Sequence, residues 1–124
     1  MDGEQRQRRE QMERRTLEFS GQMLDFVLPM PSGPVRDVLG WQMLRSATSV
    51  GANYREANRG ASRADFINKV NIAEKEASET VYWLELCELK KLGTADLRSK
   101  LLQEANELLA ILVAIGRTAK ANSQ

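Results

Sequence analysis

Apolar residues recur every three or four positions along four stretches of the chain, and prolines or glycines separate the stretches. Met12, Thr16, Phe19 and Met23, followed by Phe26 or Val27, fall on one face of a first helix. Pro29, Pro31, Gly33 and Pro34 stop it and make a short, stiff connection. Pro34 suits the first turn of a second helix, with Ser32 or Gly33 near its cap. Along that helix Leu39, Met43, Ala47, Val50, Tyr54 and Ala57 share one face. Gly60 weakens continuation, and Ser62 with Asp65 three residues later resembles a capping box with Asp in place of Glu. A third helix then runs to Leu92, burying Phe66, Val70, Ala73, Ala77, Thr80, Leu84 and Cys87. Gly93 stops it, Thr94 or Asp96 can cap a fourth, and Leu97, Leu101, Ala105, Leu108, Leu112 and Ile115 form the last stripe. Nothing reads as a strand. Short links leave each long helix nowhere to pack except against its predecessor, so the expected fold class is all-α, an antiparallel up-down-up-down four-helix bundle. The bundle is expected over residues 15–120, after a charged N-terminal extension at 1–14 and before a tail at 121–124.

A chain of 124 residues makes one domain. Eighteen basic residues against seventeen acidic give a net charge of +1, so any nucleic-acid contact must rest on local patches. The first fifteen residues carry five arginines against four acids, which reads as a solvated helix face or frayed tail, with a basic arm for RNA as the other reading. The lone Cys87 cannot form an internal disulfide and fits a reducing cytoplasm. No apolar run is long enough to span a bilayer, and the charged start does not read as a signal peptide, so a cytoplasmic protein is expected.

The chain has no histidine. That removes the commonest general acid–base group and the commonest transition-metal ligand. Glu56, Glu76 and Glu79 could be recruited to a carboxylate-bridged di-metal centre, but such bundles use Glu-x-x-His elements that this chain lacks. Cys87 lies on the apolar stripe and reads as core filler. No phosphate-binding glycine loop is present. No catalytic residue, metal or cofactor is therefore expected, and the chain is not expected to be an enzyme.

The second helix is rich in small residues. Ala47, Val50 and Gly51 lie on or beside its inner face, where another backbone can approach closely enough to offset the roughly 1 kcal/mol that a helical glycine costs. Ser46, Thr48 and Ser49 can bond back to the preceding turn. Asn53 at the core edge needs a partner, and Glu76 on the third helix is the candidate, giving a structural polar network.

Two outer faces carry groups that a lone bundle would leave wet. Trp41 projects opposite the second core stripe with Arg45, Arg55 and Arg59, and Ile72, Trp83 and Leu86 lie off the third. Trp41, Ile72, Trp83 and Leu86 therefore mark an expected oligomer or partner interface. Arg45, Arg55, Arg59, Arg63 and Lys69 form a basic patch that, repeated between protomers, would give salt-sensitive RNA binding. The alternative is a protein-binding module that uses its exposed tryptophan and apolar faces and touches no nucleic acid.

The segments Leu44-Arg-Ser-Ala-Thr-Ser-Val-Gly-Ala-Asn-Tyr-Arg-Glu-Ala57, Ser62-Arg-Ala-Asp-Phe-Ile67, Lys75-Glu-Ala-Ser-Glu-Thr80 and Tyr82-Trp-Leu-Glu85 resemble the 23S ribosomal RNA intervening-sequence proteins. The similarity runs from about Arg15 through the final helix. It implies a small bacterial four-helix bundle that assembles as a ring-shaped homopentamer, and it transfers no catalytic residue. A related branch, the accessory variability determinants of diversity-generating retroelements, binds reverse transcriptase and template RNA. The expected partners are thus further copies of the chain, and RNA or an RNA-handling protein such as a reverse transcriptase, with no membrane.

Overall fold

The computed structural model describes residues 2–122. Among them are four long helices: α1 over Gly3–Val27, α2 over Trp41–Asn58, α3 over Arg63–Lys90 and α4 over Ala95–Asn122. Each helix packs against its sequence neighbour, and α4 closes against α1. Cross-helix contacts fix the antiparallel sense, since Thr80 Oγ1 donates to Ser46 Oγ at 2.8 Å while Lys69 pairs with Glu56 at 3.0 Å. The all-α bundle read from the periodicity is the observed fold, and the expected stripes supply most of the core, with Leu39, Phe66, Leu97 and Ile115 only partly buried against it. Phe19, Met23, Met43, Val50, Val70, Leu84, Leu101, Leu108 and Leu112 lose essentially all contact with solvent.

The charged start is the first half of α1. Asp2 accepts from the Gln5 backbone N–H at 2.7 Å and the Gln5 side chain returns to the Asp2 N–H, so a complete capping box begins the helix. Met12 is already part of the core. At the other end α4 runs to Asn122, so of the tail at 121–124 the last two residues lie outside the described residues.

Before α2 the chain makes a π-turn over Arg36–Gly40. The periodicity gave no sign of it, because one widened turn leaves the spacing on either side intact. A Cβ on Gly40 would sit 2.8 Å from a methyl of Val27, so the turn brings α2 against the end of α1 where only glycine fits. Gly51 makes the second close approach. A Cβ there would lie 3.0 Å from the Thr16 side chain and 3.4 Å from its carbonyl carbon, which identifies α1 as the neighbour of the small-residue face.

The corner between α3 and α4 is the most tightly specified. Lys91 takes the left-handed conformation at φ 57° and Gly93 follows at φ 74°. Arg98, 4% exposed, folds back under this corner. Its guanidinium donates to the Leu92 and Gly93 carbonyls at 2.8 and 3.2 Å and to Glu88 at 2.6 Å. Both carbonyls belong to the linker past the end of α3, where no helical N–H is available to them.

Candidate functional site: the outer faces of the bundle

Asn53 and Glu76 do not form the expected network. Asn53 donates to the Ser49 carbonyl at 2.8 Å, one turn back in its own helix. Glu76 instead accepts from Arg45 at 3.1 Å. In the register set by Ser46–Thr80 and Lys69–Glu56, Asn53 stands level with Ala73, about 4.5 Å along the axis from Glu76. The buried polar contact between α2 and α3 is made by Ser46 and Thr80, both fully buried.

The basic residues divide according to their acidic neighbours. Arg45, expected to face outward, lies against α3 between Glu76 and Glu79 and over the Trp41 ring at 5.9 Å. One cation between two carboxylates leaves no positive surplus there. Lys69 is matched by Glu56. Arg55 and Arg59 share the single carboxylate of Glu13, at 3.4 and 3.3 Å, and Glu13 also accepts from Asn58. Arg63 is exposed at the start of α3 and makes no ion pair among the described residues. A surplus of positive charge therefore survives at Arg55, Arg59 and Arg63 and not at Arg45 or Lys69.

The apolar faces also differ from the expected set. Trp41 is 62% exposed, in line with its outward projection. Trp83 is half-buried against the core, and its indole N–H donates to Glu79 at 3.0 Å. Ile72 and Leu86 are likewise half-buried. The exposed groups on α3 are instead Tyr82 and Leu89, one residue beyond Val81 and Glu88 on the outward side. A larger apolar set is exposed on α1 and the connection that follows: Leu17, Leu24, Leu28, Val35 and Val38. Its signal in the sequence is the spacing of Leu17, Leu24 and Leu28, which repeats every seven or four residues on the face opposite Phe19 and Phe26.

Between α1 and α4 the bundle is latched at one level and open at another. Arg15 grips Glu104 through two hydrogen bonds, at 2.6 and 2.7 Å, and reaches Glu107 at 2.8 Å. The bond to Glu104 raises the Arg15 pKa above the ordinary arginine value, so the latch stays charged. Towards the start of α1 the helices leave a groove of about 690 Å³, floored by Met12, Phe66, Ile111 and Ile115. Arg8, Arg9, Arg15 and Arg63 line it, with no carboxylate among the lining residues.

Glu56, Glu76 and Glu79 are each held by a cation, and among the described residues no group of three or more acidic or cysteine side chains converges on one point. Burial pushes the Cys87 thiol pKa up, away from the reactive thiolate. No described helix is long and apolar enough to cross a membrane.

Residues 9–114 match the family model for the 23S rRNA-intervening sequence protein. The chain belongs to this family. The chain is also similar to a solved structure, a protein of unknown function from the S23 ribosomal protein family of Bacteroides thetaiotaomicron. Its crystal structure at 1.70 Å superposes with a TM-score of 0.77 at 37% identity, covering 88% of this chain and 97% of that one. No curated protein matches the chain. The 23S rRNA-intervening sequence family is one of unknown function, and no enzymatic family is indicated.

Proposed function

We propose that the protein is a non-enzymatic, self-assembling scaffold of the cytoplasm, built from copies of the bundle closed into a ring, with the homopentamer implied by the family resemblance as its form. The observation that carries this reading is the apolar surface on α1 and the start of α2, where Leu17, Leu28, Val35, Val38 and Trp41 are each 56–62% exposed. Wet apolar surface on this scale is retained where another surface covers it. Multi-angle scattering at micromolar concentration is expected to give several times the protomer mass. Trp41→Glu, at a side chain 62% exposed, is expected to shift that mass towards the protomer. A wild-type chain that runs at protomer mass throughout this range overturns the proposal.

Binding of structured RNA, or of a ribonucleoprotein such as a reverse transcriptase with its template, is a second reading. It is supported by the positive surplus at Arg55, Arg59 and Arg63, which a ring would repeat from protomer to protomer. Phosphate contacts release counterions, so affinity is expected to fall steeply with salt. Replacing Arg55 and Arg59 with alanine is expected to lower the slope of log affinity against log salt by about two per protomer engaged. An unchanged slope removes these residues from the contact and favours the purely protein-binding module.

A further inference from the structure

The first helix carries two opposite surfaces. Its N-terminal half supplies Arg8, Arg9 and Arg15 to the α1–α4 groove, where Arg63 joins them over an apolar floor. Its C-terminal half is the reverse in charge. Between Arg15 and Arg36 the chain has no lysine or arginine, while Glu18 and Asp25 are exposed and make no ion pair among the described residues. Glu18 and Asp25 are seven residues apart, about two helical turns, and so form an acidic rail on one side of the helix. Leu17, Leu24 and Leu28 run beside that rail, 59%, 43% and 61% exposed.

We infer that the leucine stripe and acidic rail of one copy dock into the arginine-lined groove of the next. The inference rests on the self-assembly proposed above and names the two surfaces that meet. The groove offers what the stripe lacks. It has an apolar floor of Met12, Ile111 and Ile115 to take leucines, and Arg8, Arg9 and Arg63 along its walls, while Arg15 is already matched by Glu104 and Glu107. Arg9 already lies over the Phe66 ring at 5.3 Å, so that aromatic face is covered by a guanidinium and is not free for a stacked base. Arg8 has only a long, solvent-exposed pairing with Glu4 at 4.0 Å to give up. Arg63 has none. An occupant that is helical, apolar on one side and acidic beside it fits these constraints, and the second half of α1 has that composition.

Because the two surfaces are different, the contact is head-to-tail. Each copy presents one groove and one stripe, and successive copies build a closed ring or an open filament. The groove opens at the level of the α1 N-terminus, while the stripe lies on the same helix towards its C-terminal end, so one protomer can use both at once.

Charge reversal tests the pairing. One variant carries Arg8→Glu with Arg63→Glu, and a second carries Glu18→Arg with Asp25→Arg. All four side chains are exposed, so both variants are expected to keep wild-type helical content and melting behaviour. Each alone is expected to fall to protomer mass by light scattering at micromolar concentration. Mixed in equal amounts, they are expected to reassemble to particles well above protomer mass, since the reversed groove and the reversed stripe are again opposite in charge and the two variants can alternate. If both folded variants keep the wild-type mass, this pairing of surfaces is overturned and self-assembly itself stands. If the wild-type chain is a monomer, the scaffold proposal and this pairing fall together. A mixture that stays at protomer mass, with wild type assembled, also overturns the head-to-tail contact.

Discussion

Replacing Gly93 with alanine is expected to lower the free energy of unfolding by about 2–4 kcal/mol, the sum of a left-handed penalty and an overpacking penalty. Gly93 sits at φ 74°, a conformation that a side chain disfavours. The added Cβ would also lie 2.5 and 2.6 Å from two ring atoms of Phe26 and 3.0 Å from the Met30 terminal methyl. Met30 can swing away, but Phe26 is 2% exposed and held on all sides. The corner and the end of α1 must therefore separate or strain. Urea unfolding followed by helical signal measures the loss. Gly21→Ala is the matched control. It lies inside α1 with nothing within 4 Å of the new Cβ, and it is expected to stabilise by about 0.4–1 kcal/mol. A Gly93→Ala protein as stable as wild type would mean that the corner is not packed as described.

Arg98→Ala is expected to cost a similar amount, about 2–4 kcal/mol, because it strips a buried cation from three acceptors at once. The Leu92 and Gly93 carbonyls then lose the side-chain donor that ties the corner to the start of α4. Glu88 loses the bond that, ahead of a second from Lys91, holds its carboxyl pKa below the ordinary value. The sign of the pH dependence follows. A carboxyl whose pKa is depressed by folding adds stability above its unfolded pKa, and that stability is lost as the pH falls through the folded value. Wild type is therefore expected to lose stability on acidification below about pH 4.3, the ordinary glutamate value, partly through Glu88. Arg98→Ala is expected to flatten that part of the profile as well as lower the plateau. Unfolding curves from neutral pH down to acid check both effects. An acid limb unchanged in the variant would show that Glu88 draws no stability from Arg98.

The contrast between these residues shows what the sequence disclosed. Met43, Ala47, Val50, Tyr54 and Ala57 were legible because helix periodicity reports directly on which face meets the core. Gly51 was legible as a point of close approach, although its partner Thr16 was not, because periodicity locates a face without saying which helix covers it. Arg98 was missed for a chemical reason. It lies on the same stripe as Leu101, Ala105 and Leu108, but an arginine there is read as solvated unless the acceptors that bury it are foreseen. Those acceptors are backbone carbonyls at a corner whose geometry no residue pattern announces, apart from Gly93 itself.

The candidate surfaces were legible only in part. Trp41 projects outward as expected, yet Trp83 turns its ring towards the core and satisfies its N–H on Glu79. A projection angle places a Cβ, and a large flexible or planar side chain can still lean through a quarter turn. Arg45 is the same case. Its charge is neutralised because α3 puts Glu76 and Glu79 opposite it, a fact of register between helices and not of either helix alone. The polarity of α1 was in plain view as a run of arginines followed by a run without them. Read as a tail, it carried no meaning; read as one rigid helix, it becomes two faces a fixed distance apart.

The π-turn before Trp41 has an evolutionary consequence. A π-turn holds one residue more than the same turn of an α-helix, which makes it a place where a single residue can be lost without unwinding the helix. A relative with a regular helix here should be one residue shorter between the positions of Pro34 and Trp41, and should not require glycine at the position of Gly40. Removing a single residue from Arg36–Gly40 would rotate everything before it by about 100° about the helix axis. Val35 would then point in a new direction, while the core beyond Met43 kept its phase. A chain without this one residue would thereby keep the bundle and present a different outer surface ahead of Trp41.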